Sequence, residues 1–301
     1  GLEMKATKDH VKATAEKYGV EIEEVRPKVG IVQAVREHGV PFVSKIMSAG
    51  LQGWQKKNIS LSIAEEYEKY KVSGHTLLHL DHIPVVDEDY QRVDYEKLLE
   101  RALKAGYESV MIDGSRLPLE ENIRVTAEAA AMAHEAGVPC EAELGAVMGH
   151  EKEEMPPYEE IFSRKMGFTK LEEAKRFVLE SRCDWLSVAV GNIHGQIAEA
   201  VRNQKKPEAR LDVGHIGTIY QALGIPLVLH GGSGIRHSCV LEAVRAGITK
   251  INVGTEIRQT YEFALKESGN DISYAQEQVY RKVRAYISGY LYNTGLADDL
   301  K

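Results

Sequence analysis

The chain has 301 residues, 43% of them hydrophobic and 28% charged, with a formal net charge of -7. That length suits one large domain or two ordinary ones, and the acidic balance argues against a nucleic-acid footprint while leaving room for small anionic ligands at a local site. No apolar run approaches the roughly 20 residues a membrane helix needs, and no signal-peptide pattern opens the chain, so a cytoplasmic location is expected. Three widely spaced cysteines, Cys140, Cys183 and Cys239, sit in apolar contexts and read as core thiols rather than a disulfide framework.

In chain order, an amphipathic helix over residues 7–18 precedes strand candidates at 19–25, 41–46, 75–80, 109–112, 138–144, 185–190, 226–230 and 249–253. Helical periodicity fills the spaces at 95–104, 119–134, 171–181, 216–223 and 238–246. A long terminal helix is predicted over 273–291, with Tyr274, Val279, Val283, Tyr286 and Tyr290 as its apolar stripe. No Pro/Gly/Ser-rich linker interrupts this alternation, so residues 1–301 read as one domain. Eight strand candidates, each followed by a helix, predict a (β/α)8 TIM barrel of the α/β class, with an extra N-terminal helix and a long C-terminal one. In such a barrel, the chemistry collects at the carboxyl ends of the strands. Two long connections, 146–169 and 196–211, follow strands at that end; they have the length of lids, though either has room for short helices of its own.

Three histidines fall at or just beyond predicted strand ends: His82 in "HLDHIP", His194 in "GNIHG" and His230 in "LVLHGGSG". One such histidine is more simply a packed or backbone-bonded residue. Three on one barrel mouth instead make a catalytic zinc arrangement with an open fourth position. Asp81, beside His82 but alternating away from it, is placed as an acid/base, and His79 shares its side of the strand one layer deeper. In "CEAELG", Glu141 and Glu143 share a face at a spacing of two, and two acids directed inward require a cation or donors. Glu143 is the candidate acid of the metal site, and Glu151 in the following loop is a candidate mobile base.

The text after the seventh and eighth predicted strands differs in kind. "HGGSG" sets Gly231, Gly232 and Ser233 where N–H groups and a hydroxyl can close on an anion, and "INVGTE" sets Asn252, Gly254 and Thr255 at a helix start. These loops are the usual phosphate cradle of the barrel, and Gly195 after His194 adds a donor from a third side. Metal, carboxylates and phosphate cradle together suit an enediolate. Aldol cleavage and epimerisation both pass through such a species.

The motifs "LHLDH", "MIDGS", "EAELG", "VAVGNIHG", "LVLHGGSG" and "KINVGTEIR", in this order over residues 75–260, resemble those of the class II, zinc-dependent ketose-bisphosphate aldolases. The resemblance implies a carbon–carbon lyase that splits a phosphorylated ketose, fructose- or tagatose-bisphosphate-like, into dihydroxyacetone phosphate and an aldehyde. It implies zinc, or another divalent cation, on His82, His194 and His230, with Glu143 near an alternative metal position. Asp81 would be the acid/base at the aldehyde side, and Glu151 would shuttle the proton of the ketose-phosphate half. Gly195, Gly231, Ser233, Asn252 and Thr255 would hold dihydroxyacetone phosphate, with a Na+ or K+ nearby, in a homodimer or homotetramer. The chain departs from the family pattern at three places: residues 19–25 lack an expected Asn, the Glu151 loop reads Met148-Gly149-His150-Glu151-Lys152, and Ile83-Pro84 follow the Asp-His pair. These positions lie toward the variable half of the substrate, so a different phosphoketose is one alternative, and a non-catalytic aldolase-like subunit is another.

Overall fold

The computed structural model describes residues 59–71, 76–87, 90–146, 157–192, 209–232 and 234–287. The predicted helix at 7–18, the strand candidates at 19–25 and 41–46, and the site candidates Glu151, His194, Gly195 and Ser233 lie outside them. The other six strand candidates are strands: β1 (His79–Pro84), β2 (Ser109–Asp113), β3 (Cys140–Leu144), β4 (Trp185–Val188), β5 (Leu227–Leu229) and β6 (Ile248–Ile251). They alternate with α1 (Ile59–Tyr70), α2 (Tyr95–Lys104), α3 (Leu119–Glu135), α4 (Tyr158–Ser163), α5 (Leu171–Ser181), α6 (Val213–Leu223), α7 (His237–Ala246), α8 (Thr255–Glu267) and α9 (Ile272–Ala285).

The closed eight-stranded barrel expected from the sequence is corrected. Among the described residues the sheet has six parallel strands in the order β1-β2-β3-β4-β5-β6. A barrel closes only when its end strands gain a second partner, and among the described residues β1 pairs only with β2 and β6 only with β5. Among the described residues the architecture is α/β with an open six-stranded sheet, and the α/β assignment itself stands. By contact the chain divides into two compact units, one of residues 1–111, 135–138 and 256–301, the other of residues 112–134 and 139–255.

In the first unit, the entry to β1 is held by one buried hydroxyl. Tyr67 Oη on α1 lies 2.7 Å from the Thr76 carbonyl and 2.8 Å from Glu108 Oε2, and the same carboxylate oxygen accepts the Leu78 N–H at 2.9 Å. Burial, with the Glu108 carboxylate adding to it, pushes the Tyr67 hydroxyl up to about 12. Beyond this anchor the strand runs four residues further than the pattern suggests, because Ile83 and Val85 are both fully buried and keep the chain extended until Pro84. Asp81 and His82 therefore lie within β1 rather than after it.

Asp94 caps α2 by accepting the Lys97 N–H at 3.2 Å, and Tyr95, Leu98, Leu99 and Ala102 form its buried face. The last described helix is α9, capped by Asp271 and running over Ile272–Ala285, and the end of the predicted 273–291 helix lies outside the described residues. Val279, Val283 and Tyr286 of its stripe are buried as expected, Tyr274 is exposed, and Tyr290 lies outside the described residues.

In the second unit, parallel pairing sets the register Glu143↔Ser187 between β3 and β4, Ser187↔Val228 between β4 and β5, and Val228↔Lys250 between β5 and β6. Side chains in register share a face, and the same face recurs every second residue. One face of this sheet therefore carries Glu141, Glu143, Ser187, Lys250 and, just past the strands, His230 and Asn252. The other presents Ala142, Leu144, Leu186, Val188, Leu227 and Leu229, all buried. The polar face is the candidate site. Along the chain, α5 packs beside α6 and α6 beside α7.

Candidate functional site

In the first unit, strand alternation aims His79 and Asp81 to one side. His79 Nδ1 is 2.8 Å from Ser109 Oγ on β2, and His79 Nε2 is 3.6 Å from Asp81 Oδ1. Ser109 thus fixes a ring that borders the carboxylate. His79 and Asp81 are both buried, at 8% and 6% exposure, a setting in which a carboxylate and its neighbours must satisfy one another. His82 has φ of 50°, in the left-handed region that a non-glycine residue rarely adopts. Strain of this kind costs on the order of 1 kcal/mol and persists where the surrounding structure enforces it, which directs attention to His82. Ile83, the departure next to it, is fully buried, so it is a core side chain rather than a surface one.

In the second unit, the expectation that two inward acids need cations or donors is met by His230, by Asn252 beside its ring and by Lys250, which the sequence analysis passed over. Glu141 is fully buried; its Oε1 is 2.8 Å from His230 Nε2 and its Oε2 is 2.7 Å from Lys250 Nζ. His230 Nδ1 lies 3.7 Å from Glu143 Oε2, and Asn252 Nδ2 is 3.2 Å from His230 Nε2. One histidine is thus flanked by two carboxylates, and the ammonium of Lys250 compensates the deeper of them. Lys250 was legible in principle: it lies on β6 two residues before Asn252, which stands just past the strand, and so shares its face.

The backbone of His230 is held as firmly as its ring. Asn192 is buried; its Oδ1 accepts the Val190 N–H at 2.8 Å and its Nδ2 donates to the His230 carbonyl at 2.9 Å. Tyr158 on α4 braces the next residue back, its hydroxyl lying 2.9 Å from both the Gly191 and the Arg210 carbonyls and accepting the Arg210 N–H at 2.8 Å. At Gly191, φ is 107° and an added Cβ would lie 2.6 Å from the Arg210 carbonyl oxygen, so this close approach requires glycine. Thr169, also buried, ties the carboxyl ends of β3 and β4 by donating to the Leu144 carbonyl at 2.5 Å and accepting the Ala189 N–H at 2.9 Å. Asn122 Nδ2 donates to the Glu143 carbonyl at 3.1 Å. Asn122, Tyr158 and Thr169 carry no motif-like signal, because each is a lone polar residue whose partner is distant in sequence, whereas Asn192 lies inside the GNIHG stretch without any sign there of its bond to His230.

The anion cradle divides. Gly231 and Gly232 follow β5, and Gly254 and Thr255 stand at the N-terminus of α8, where helix N–H groups and dipole favour an anion. The Gly232 N–H, however, donates to the Asn252 carbonyl at 3.0 Å, and the Asn252 N–H donates to the Leu229 carbonyl at 2.9 Å. Those two groups set the loop against β6. A Cβ at Gly232 would lie 2.6 Å from the Ile251 side chain, so glycine is needed there for packing as well.

Comparison with known proteins decides the family. Residues 6–293 match the family described as class II fructose-bisphosphate aldolase. The chain belongs to that family. Among members of this aldolase family, the fructose-bisphosphate aldolase of Streptococcus pyogenes serotype M3 is 36% identical over 214 residues, 67% of this chain. The matched region spans 62% of that relative's length. The 6-phospho-5-dehydro-2-deoxy-D-gluconate aldolase of Halalkalibacterium halodurans is 33% identical over 239 residues, covering 78% of this chain and 73% of its own. In structure the chain is similar to the YdjI aldolase of Escherichia coli K12, with a TM-score of 0.59 and 28% identity over 78% of this chain and 75% of that one. The class II aldolase family is metal-dependent, and both units carry side chains able to ligate a metal, Asp81 and His82 in the first and Glu143 and His230 in the second. Among the described residues, no helix is long and apolar enough to cross a membrane.

Proposed function

We propose that the protein is a metal-dependent aldolase that reversibly splits a phosphorylated ketose into dihydroxyacetone phosphate and an aldehyde. The observation that carries this reading is the buried Glu141–His230–Glu143 arrangement with its Lys250 counter-charge. A histidine whose one ring nitrogen is engaged by a carboxylate presents the other as a ligand, which is the usual carboxylate–histidine–metal pattern. On this reading a divalent cation would take His82, His194 and His230 as ligands, with Glu143 as an alternative one. When bound, that cation, Zn2+ on this reading, supplies an electrophile for the substrate's carbonyl oxygen.

The chain's own groups carry the remaining chemistry. Asp81 accepts the proton of the hydroxyl that becomes the aldehyde as the carbon–carbon bond breaks. Glu151 returns a proton to the carbon that becomes dihydroxyacetone phosphate. Gly195, Gly231, Gly232, Ser233, Asn252, Gly254 and Thr255 surround the phosphate end, with the N–H of Gly232 holding the loop rather than the anion. A Na+ or K+ at the phosphate, a homodimer or homotetramer and a cytoplasmic location complete the reading.

The second reading is a substrate other than fructose 1,6-bisphosphate. The dehydro-deoxy-gluconate aldolase relative, which matches over a larger share of both chains than the Streptococcus pyogenes enzyme, favours it. Comparing cleavage of fructose 1,6-bisphosphate, tagatose 1,6-bisphosphate and 6-phospho-5-dehydro-2-deoxygluconate by the zinc-loaded protein separates the two. Asp81→Asn tests the mechanism: kcat is expected to fall by about 10²–10⁴ while zinc stays bound, and an unchanged kcat rules out Asp81 as the acid/base.

A further inference from the structure

We infer that the Glu141–Lys250 pair selects the tautomer of His230 and thereby decides which ring nitrogen this histidine offers to a metal. The inference rests on the reading of His230 as a ligand. Lys250 Nζ occupies one oxygen of the carboxylate at 2.7 Å, and the other oxygen faces His230 Nε2 at 2.8 Å. A carboxylate accepts and does not donate, so at that distance a neutral ring must carry its proton on Nε2. Nδ1 is then the lone-pair nitrogen, and it is the one that faces the Glu143 side, 3.7 Å from Oε2.

A competitor sits close by. Asn252 Nδ2 lies 3.2 Å from the same Nε2 and favours the opposite tautomer, in which Nε2 accepts and Nδ1 carries the proton. The shorter, charge-assisted contact prevails, and it does so because Lys250 orients and compensates the carboxylate. With side-chain exposures of 0% for Glu141 and 11% for Lys250, solvent does little to screen the pair. Glu141 and Lys250 are positioning residues: they act through the imidazole. Asn192 completes the arrangement by donating to the His230 carbonyl at 2.9 Å, which holds the backbone from which the ring projects.

The test uses the full chain labelled with 15N-histidine, first metal-free and then titrated with zinc, with the His230 signals assigned by their loss in His230→Gln. Long-range 1H–15N correlation is expected to show the Nε2–H tautomer in the wild type. In Glu141→Gln, Lys250 retains the amide oxygen and the NH2 turns onto the ring, so His230 is expected to become Nδ1–H and the zinc Kd to rise about 10–100-fold. Lys250→Arg keeps a cation and is expected to keep the wild-type tautomer. A wild-type ring protonated on Nδ1, or a Glu141→Gln ring still protonated on Nε2, overturns the inference. If Glu141→Gln does not fold, the wild-type tautomer and Lys250→Arg still decide the matter. A tautomer that flips while the zinc Kd stays unchanged upholds the selection and refutes the ligand role of His230, which separates this inference from the functional reading beneath it.

Discussion

Lys250 Nζ on β6 lies 2.7 Å from Glu141 Oε2 on β3, in an ion pair whose carboxylate is fully buried. The two strands are separated by β4 and β5 in the sheet, so the pair spans the polar face and ties its two sides together.

Breaking such a pair from one side leaves a buried charge without compensation. Lys250→Met is therefore expected to destabilise the protein by about 3–5 kcal/mol, read as a lowered denaturation midpoint in urea. A loss below about 1 kcal/mol would mean that the pair is solvated and would contradict its burial.

Asn192→Ala removes the partners of two buried backbone groups, the Val190 N–H and the His230 carbonyl. The expected cost is about 1–3 kcal/mol for each group left unsatisfied, together with weaker zinc binding because β5 loses the anchor of its ligand. Equal zinc affinity in the wild type and Asn192→Ala, measured by competition with a chromophoric chelator, would show that the anchor does not act on the ligand.

Asp212 caps α6 by accepting the His215 N–H at 3.0 Å and pairs with Lys165 at 2.8 Å. Partial burial pulls its carboxyl upward, but the Lys165 ammonium and the His215 N–H outweigh this and hold it below the ordinary aspartate value. Because the folded value is the lower one, the stability it contributes is present above the unfolded value near 4 and is lost as the pH falls through the folded value. Asp212→Asn should therefore be less stable than the wild type at pH 7, with the gap narrowing as acid is added. A gap that is constant with pH would exclude the charge as its source.

Burial pushes the Cys183 thiol up to about 12 and the Cys140 thiol higher still, whereas Cys239 is partly exposed. In the native protein a thiol reagent at pH 8 is expected to modify Cys239 first, with Cys140 and Cys183 reacting only on unfolding. Rapid native labelling of Cys140 would show that β3 opens locally.

How far the sequence could be read depended on periodicity. The helices at 95–104 and 171–181 coincide with α2 and α5, because their apolar spacing is unbroken and buried on one side. Helix α1 was missed even though Ile63 and Tyr67 stand four apart on a buried face and Asn58, a favoured N-cap residue type, precedes its first residue in the sequence. Closure of the sheet was not legible at all: strand count suggests a barrel, but only hydrogen bonding between end strands makes one. At the site, His82, His230 and the paired glutamates were visible because strand ends and period-two spacing mark them. Tyr158 and Thr169 were not, because a single hydroxyl that bridges loops 20–52 residues apart leaves no local pattern, and Asn192, although inside the GNIHG stretch, gave no sign of its bond to His230.

The most direct measurement is a cleavage assay of the full chain on the three phosphoketoses, after exhaustive chelation and again after addition of zinc. Cleavage that yields dihydroxyacetone phosphate or the corresponding aldehyde fragment, is lost on chelation and returns with zinc is the predicted result. Cleavage that persists without metal, or no cleavage of any phosphoketose in the zinc-loaded protein, would contradict the account.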